Sequence, residues 1–184
     1  MSQRPESVLV VLVPESEALV GPIRERYDRS AALGVPAHIT VLYPFKPPHE
    51  ITPAVMSTLQ GLFQHFAPFS FSLSDLQAFP DVLYLAPKPS APFVALTQAV
   101  ADLFPETPPY GGVFPGIIPH MTIAHHEGGE QLAQLADEIK PMIQSHAAIQ
   151  ATATEVTLLE KNAHGLWQVR TSFPLGTTDE ERAP

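Results

Sequence analysis

The sequence predicts a mixed α and β chain of the α+β class, built as two halves of like element order. Three observations predict it. Apolar β-type runs recur with helical stripes between them. A histidine, one apolar residue and a threonine stand together twice, as His38-Ile39-Thr40 and His120-Met121-Thr122. The strand at 69–74, in which Phe69, Phe71 and Leu73 alternate with serines, has a counterpart at 151–156, at the same 82-residue offset that separates the two histidines. At 184 residues the chain suits one domain of two small lobes sharing a core, over about 7–175.

Taken in order, residues 1–6 read as frayed and Ser7–Val13 as a buried strand. Pro14-Glu15-Ser16-Glu17 opens a helix reaching about Arg29, with Leu19, Val20, Ile23 and Tyr27 as its apolar stripe. Gly34-Val35-Pro36 leads into the first His strand, which Pro44 ends. Thr52-Pro53 is an N-cap with Pro in the first turn, starting a helix to about Phe66. Phe69, Phe71 and Leu73 alternate with Ser70, Ser72 and Ser74 as a half-buried strand, with Val82–Ala86 as its hairpin partner. A helix over Pro92–Phe104 precedes a Pro- and Gly-rich loop over Pro105–Gly116, which delivers the second His strand. Glu130–His146 is a helix and Ala151–Leu159 one alternating strand. Asn162–Gly165 is a turn, Leu166–Leu175 the returning strand, and 177–184 a disordered polar tail.

Composition narrows the function. With no cysteine, there is neither a disulfide framework nor a thiolate site. The first apolar run, Val8–Val13, is far too short to span a bilayer, and its flank lacks a signal-peptide layout. A soluble cytoplasmic protein, taken as a monomer, is the expectation. Net charge is -9, with 10 Lys and Arg spread along the chain, which disfavours coating DNA or long RNA. A small anionic ligand fits.

In a strand, alternate side chains share a face, so His38 joins Thr40, and His120 joins Thr122. One His-x-Thr is expected by chance in roughly half of chains of this composition. Two in matching slots, each just after a proline and each in an apolar β run, are more specific. Phosphodiester cleavage without a metal needs this set: one imidazole as base, one as acid, and hydroxyls holding the non-bridging oxygens. The plain alternative is a pair of core histidines. A metal site of His120, His125, His126 and Glu127 is a weaker alternative, because zinc needs three or four converging ligands. His49, His65, His146 and His164 read as exposed. Lys46, Lys161 and Arg170 read as surface charges that could reach phosphate. Trp167 reads as hairpin cover, Phe114 as core, and Tyr110 as loop packing or a stacking platform for a base.

His38-Ile39-Thr40-Val41, His120-Met121-Thr122-Ile123 and their spacing resemble the 2H phosphoesterase superfamily, which includes the 2′-5′ RNA ligase and RNA cyclic phosphodiesterase families. Leu42-Tyr43-Pro44-Phe45 is similar to the bacterial 2′-5′ RNA ligase branch. The resemblance covers about residues 7–175. It implies two antiparallel sheets about a pseudo-twofold cleft, with helices on the outer faces. It implies hydrolysis of 2′,3′-cyclic phosphate or 2′-5′ linked nucleotides, with no metal and no cofactor. His38 and His120 are then the catalytic pair, with His120 as base and His38 as acid, and Thr40 and Thr122 anchor phosphate. Many RNA-acting relatives carry Arg where this chain has Ala37, which points to a small nucleotide or an RNA end. Tyr43 and His125, each five residues after a histidine, occupy a slot where relatives often place an aromatic facing the base. Strict alternation turns both away from the cleft, so that role requires a bulge or strand end. A nucleotide-binding protein without turnover is the other function this resemblance allows.

Overall fold

The computed structural model describes residues 6–113, 115–126 and 129–176. Eight strands form two four-stranded antiparallel sheets. The first sheet has the order β2 (His38–Leu42), β1 (Ser7–Leu12), β7 (Glu155–Lys161), β8 (Trp167–Pro174). The second has β5 (Met121–His125), β4 (Val82–Lys88), β3 (Phe69–Phe79), β6 (Ile149–Ala153). Each His strand is therefore an edge strand, seated beside the strand that precedes it in the chain.

The helices are α1 (Glu17–Tyr27), α2 (Arg29–Ala32), α3 (Pro53–Phe63), α4 (Ala91–Leu103) and α5 (Gly129–Gln144). Local chemistry explains their starts. Thr52 accepts from the Val55 N–H at 3.3 Å ahead of Pro53 at the head of α3. The predicted first helix is interrupted at Asp28, whose extended backbone ends α1 and whose carboxylate caps α2 through the Ser30 N–H at 2.9 Å. In α5, Leu132, Leu135, Ile139 and Ile143 recur at helical spacing and are all buried. Helices α1, α3, α4 and α5 bury their apolar stripes in one cluster shared with Leu9, Val11, Ile39 and Val41 of the first sheet and Leu83, Met121 and Ile123 of the second. No helix among the described residues is long and apolar enough to cross a membrane.

Two expectations are corrected. The alternating run at 151–159 is two strands, β6 and β7, parted at Thr154 and belonging to different sheets. The strand beginning at Phe69 continues past Ser74 to Phe79, through an irregularity between Leu73 and Asp75. Ser70 pairs with Thr152 across β3 and β6, their hydroxyls 3.1 Å apart and 82 positions apart in sequence. The same offset separates the histidines. The halves exchange hairpins. The β3–β4 hairpin follows β2 in sequence but joins the sheet of β5, while β7–β8 follows β5 but joins the sheet of β2. The tail at 177–184 and Phe114 lie outside the described residues.

Candidate active site

The two edge strands lie alongside each other, and each contains the same irregularity. Thr40 is opposite Val10 and Leu42 opposite Leu9, so Val41 is one residue too many for its partner strand. Thr122 is opposite Tyr84 and Ala124 opposite Leu83, so Ile123 is the matching extra residue. Val41 and Leu42, like Ile123 and Ala124, consequently both enter the core. The alternation resets, and the next residue turns to the His–Thr face. Tyr43 accordingly packs with Val8 and Val10, and Val10 lies opposite Thr40. His125 is exposed in the equivalent slot.

The imidazoles are anchored alike. His38 Nδ1 is 2.8 Å from the Pro36 carbonyl, and His120 Nδ1 is 2.7 Å from the Ile118 carbonyl. A carbonyl only accepts, so Nδ1–H donates and Nε2 carries the lone pair of the neutral ring. Burial pushes the His38 pKa down to about 4, the nearby Arg24 and His120 charges adding to this against the Pro36 bond and Asp28. Burial also lowers His120, and the nearby His125 adds to that. Around His120 stand Phe79 at 5.1 Å and Tyr84 at 5.5 Å, both edge-on, with Tyr110 nearly parallel at 6.3 Å. Tyr110 spans the halves: its side chain interacts with that of Thr40, and its N–H donates to the Tyr43 carbonyl at 2.6 Å. Thr122 is half-buried opposite Tyr84.

A second set of polar groups braces the strand entries. Glu17 Oε1 accepts from the Ala37 N–H at 2.7 Å, immediately before His38. Arg24 donates to the Val35 carbonyl at 2.9 Å and to Asp28 Oδ2 at 3.0 Å, both residues of the ion pair being buried. Asp28 Oδ1 lies 3.5 Å from His125 Nδ1, in the other half. Burial alone would raise the Asp28 carboxyl; bonds from His125 and Ser30 and the Arg24 charge outweigh it and hold it well below the usual carboxylate range. Asp28, Phe79 and Tyr84 are not among the residues the sequence singles out. Only the four-residue spacing of Arg24 and Asp28 signals a helix ion pair.

The remaining candidates are placed as follows. Tyr43 donates its hydroxyl to Glu6 at 2.9 Å and meets Trp167 edge-on at 6.4 Å; burial, with Glu6, pushes its phenol up to about 12. Lys161 pairs with the same Glu6 oxygen at 2.8 Å, Arg170 with Glu160 at 2.9 Å, and Lys46 with Glu106. Each of these three cations is thus matched by a carboxylate. Among the described residues no three His, Cys, Asp or Glu side chains are grouped to hold a metal ion, and Glu127 lies outside them.

His38 makes acid stability pH-dependent. With a folded pKa of about 4, against roughly 6.5 when unfolded, the unfolded chain binds more protons between these values. Stability therefore falls as pH drops through that window. Urea unfolding from pH 7 to 4 should show this loss in the native chain and a smaller one in His38→Gln.

The fold has solved counterparts. The crystal structure of TT0787 from Thermus thermophilus superposes with a TM-score of 0.59 at 17% identity, covering 94% of this chain and 98% of that one. Escherichia coli LigT complexed with NADP+ gives 0.58 at 16% identity, covering 96% and 100%. Two antiparallel four-stranded sheets with helices outside therefore define a LigT-like, two-lobed fold. The chain belongs to the 2′-5′ RNA ligase superfamily, the 2H phosphoesterases, whose family model matches residues 12–165. Named candidate phosphoesterases are similar along nearly their whole length. One from Bacillus pumilus is 27% identical over 173 residues, covering 91% of this chain and 96% of that protein. One from Geobacillus kaustophilus is 26% identical over 157 residues, covering 83% and 86%.

Proposed function

We propose that this phosphoesterase-family chain hydrolyses 2′,3′-cyclic phosphate, or 2′-5′ linked nucleotides and RNA ends, with His38 and His120 as a metal-independent acid/base pair. One observation carries the reading: two imidazoles with the same Nδ1 anchor, on matched bulged edge strands, bridged by one tyrosine. A nucleotide-sized ligand is in keeping with E. coli LigT, which shares the fold and has been solved with 3′-AMP.

In the proposed reaction His120 Nε2 takes a proton from water as its oxygen attacks phosphorus. The P–O3′ bond breaks, His38 gives a proton to the departing O3′, and a 2′-phosphate remains. Thr40 and Thr122 donate to the non-bridging oxygens. The low affinity of His38 for a proton favours the second reading, a nucleotide-binding protein without turnover. A bound phosphodiester removes that objection: one negative charge about 4 Å away at an effective dielectric of about 20 supplies roughly 4 kcal/mol, or about 3 pKa units. His38 should therefore titrate near pH 4 in the free protein, as tracked by its ring-proton NMR signal, and well above that with adenosine 2′-monophosphate bound.

The deciding experiment is a panel of 2′,3′-cyclic nucleotides and 2′-5′ linked dinucleotides, with products read by phosphorus NMR and EDTA present in a parallel series. Cyclic phosphate opening to the 2′-phosphate, unchanged by EDTA, is the expected outcome. Tight nucleotide binding without product would establish the second reading, and loss of activity on chelation would refute the metal-independent one.

A further inference from the structure

Tyr110 is held at a backbone cost. Its φ is 52°, the left-handed region, and the next two residues are Gly111 at 65° and Gly112 at 75°. A residue with a Cβ is strained there, and such strain persists where neighbours over-determine it. Three contacts do so: the N–H on the Tyr43 carbonyl, the ring over His120 and the side chain against Thr40. All three lie on or beside the two His strands, although Tyr110 comes from the connector between α4 and β5. The ring lies nearly parallel to His120 at 6.3 Å, and the side chain also interacts with Thr40 of the other half.

We propose that the Tyr110 hydroxyl is a third phosphate-contacting group beside Thr40 and Thr122, binding a non-bridging oxygen of a phosphate monoester or diester and stabilising the charge that develops there. This rests on the proposed phosphodiesterase reading. The Tyr110 side chain interacts with that of Thr40 across the cleft from His120, so the two hydroxyls belong to one region of the site. Burial raises the phenol pKa, so the group remains a donor at neutral pH. The connector thereby couples β2 to the far half of the cleft.

Tyr110→Phe tests this, because the ring stays over His120 and only the hydroxyl is lost. With 2′,3′-cyclic AMP, kcat should fall roughly 10- to 100-fold while KM changes by less than about threefold, with the circular dichroism spectrum unchanged. Tyr110→Gly, which relieves the strain, should be at least as slow. A rate in either variant equal to or above that of the native chain would overturn the proposal, showing the hydroxyl to be only a latch on the empty cleft. Calorimetry with adenosine 2′-monophosphate separates this from the function itself. If the native chain turns over no member of the panel yet binds the monophosphate, the phosphodiesterase reading fails. Weaker binding to Tyr110→Phe would then still support the phosphate contact, and equal binding would refute it. Neither turnover nor binding by the native chain would end both.

Discussion

His120→Ala is expected to lower kcat for 2′,3′-cyclic nucleotide hydrolysis by about 10²- to 10⁴-fold, the contribution of a positioned acid or base. His38→Ala should do the same, and the double variant should be little worse than either single one, because an acid and a base acting in one step do not contribute additively. The fold should survive. Both histidines stand at the starts of edge strands, and the core beneath them is formed by Ile39, Val41, Met121 and Ile123. Steady-state rates with circular dichroism check this, and near-native rates in either single variant would sink the two-histidine mechanism. His125→Ala, which leaves both catalytic candidates in place, should affect KM more than kcat.

Asp28→Ala is expected to cost the fold about 3–5 kcal/mol, a large share of the stability of an ordinary domain. The Asp28 side chain is fully buried and Arg24 nearly so. Removing the carboxylate leaves the guanidinium with the Val35 carbonyl, the Ser30 hydroxyl and Glu17, whose carboxylate is 3.8 Å away. Asp28→Asn should cost less, since asparagine still caps α2. Replacing Arg24 and Asp28 together with Met and Leu should recover much of the loss. Urea denaturation measures all three, and a cost below about 1 kcal/mol for Asp28→Ala would refute the pair's structural weight. The pH dependence has a defined sign. The carboxyl is held below its usual range when folded, so its stabilisation is present above about pH 4 and is lost as pH falls further. Asp28→Asn should flatten that acid limb.

Much of the element order was legible because its causes are local. Pro53 after Thr52, Pro44 after the first His strand, and the alternation of Phe69 to Ser74 each act on adjacent residues. The paired His-x-Thr motifs were legible for the same reason. Strict alternation misdirects the reading at Tyr43 and His125, because each bulge depends on how the strand registers against its neighbour, Leu9–Val10 in one case and Leu83–Tyr84 in the other. The adjacent apolar pairs Val41-Leu42 and Ile123-Ala124 allow an extra position but do not by themselves fix it. The break at Thr154 has only a faint local sign, the adjacent polar pair Thr154-Glu155, and nothing in the run says that β3 and β1 claim its two parts for different sheets.

By itself the sequence determined which residues are candidates for the chemistry, and that they come as two similar halves, because motif, periodicity and turn signals lie within a few residues of one another. Only the tertiary structure decided that the halves exchange hairpins, that Asp28 reaches His125, and that Tyr110 joins Thr40 to His120. Those outcomes depend on strand pairing and burial between residues far apart in the chain, where the competing partners differ in packing and desolvation rather than in any local pattern.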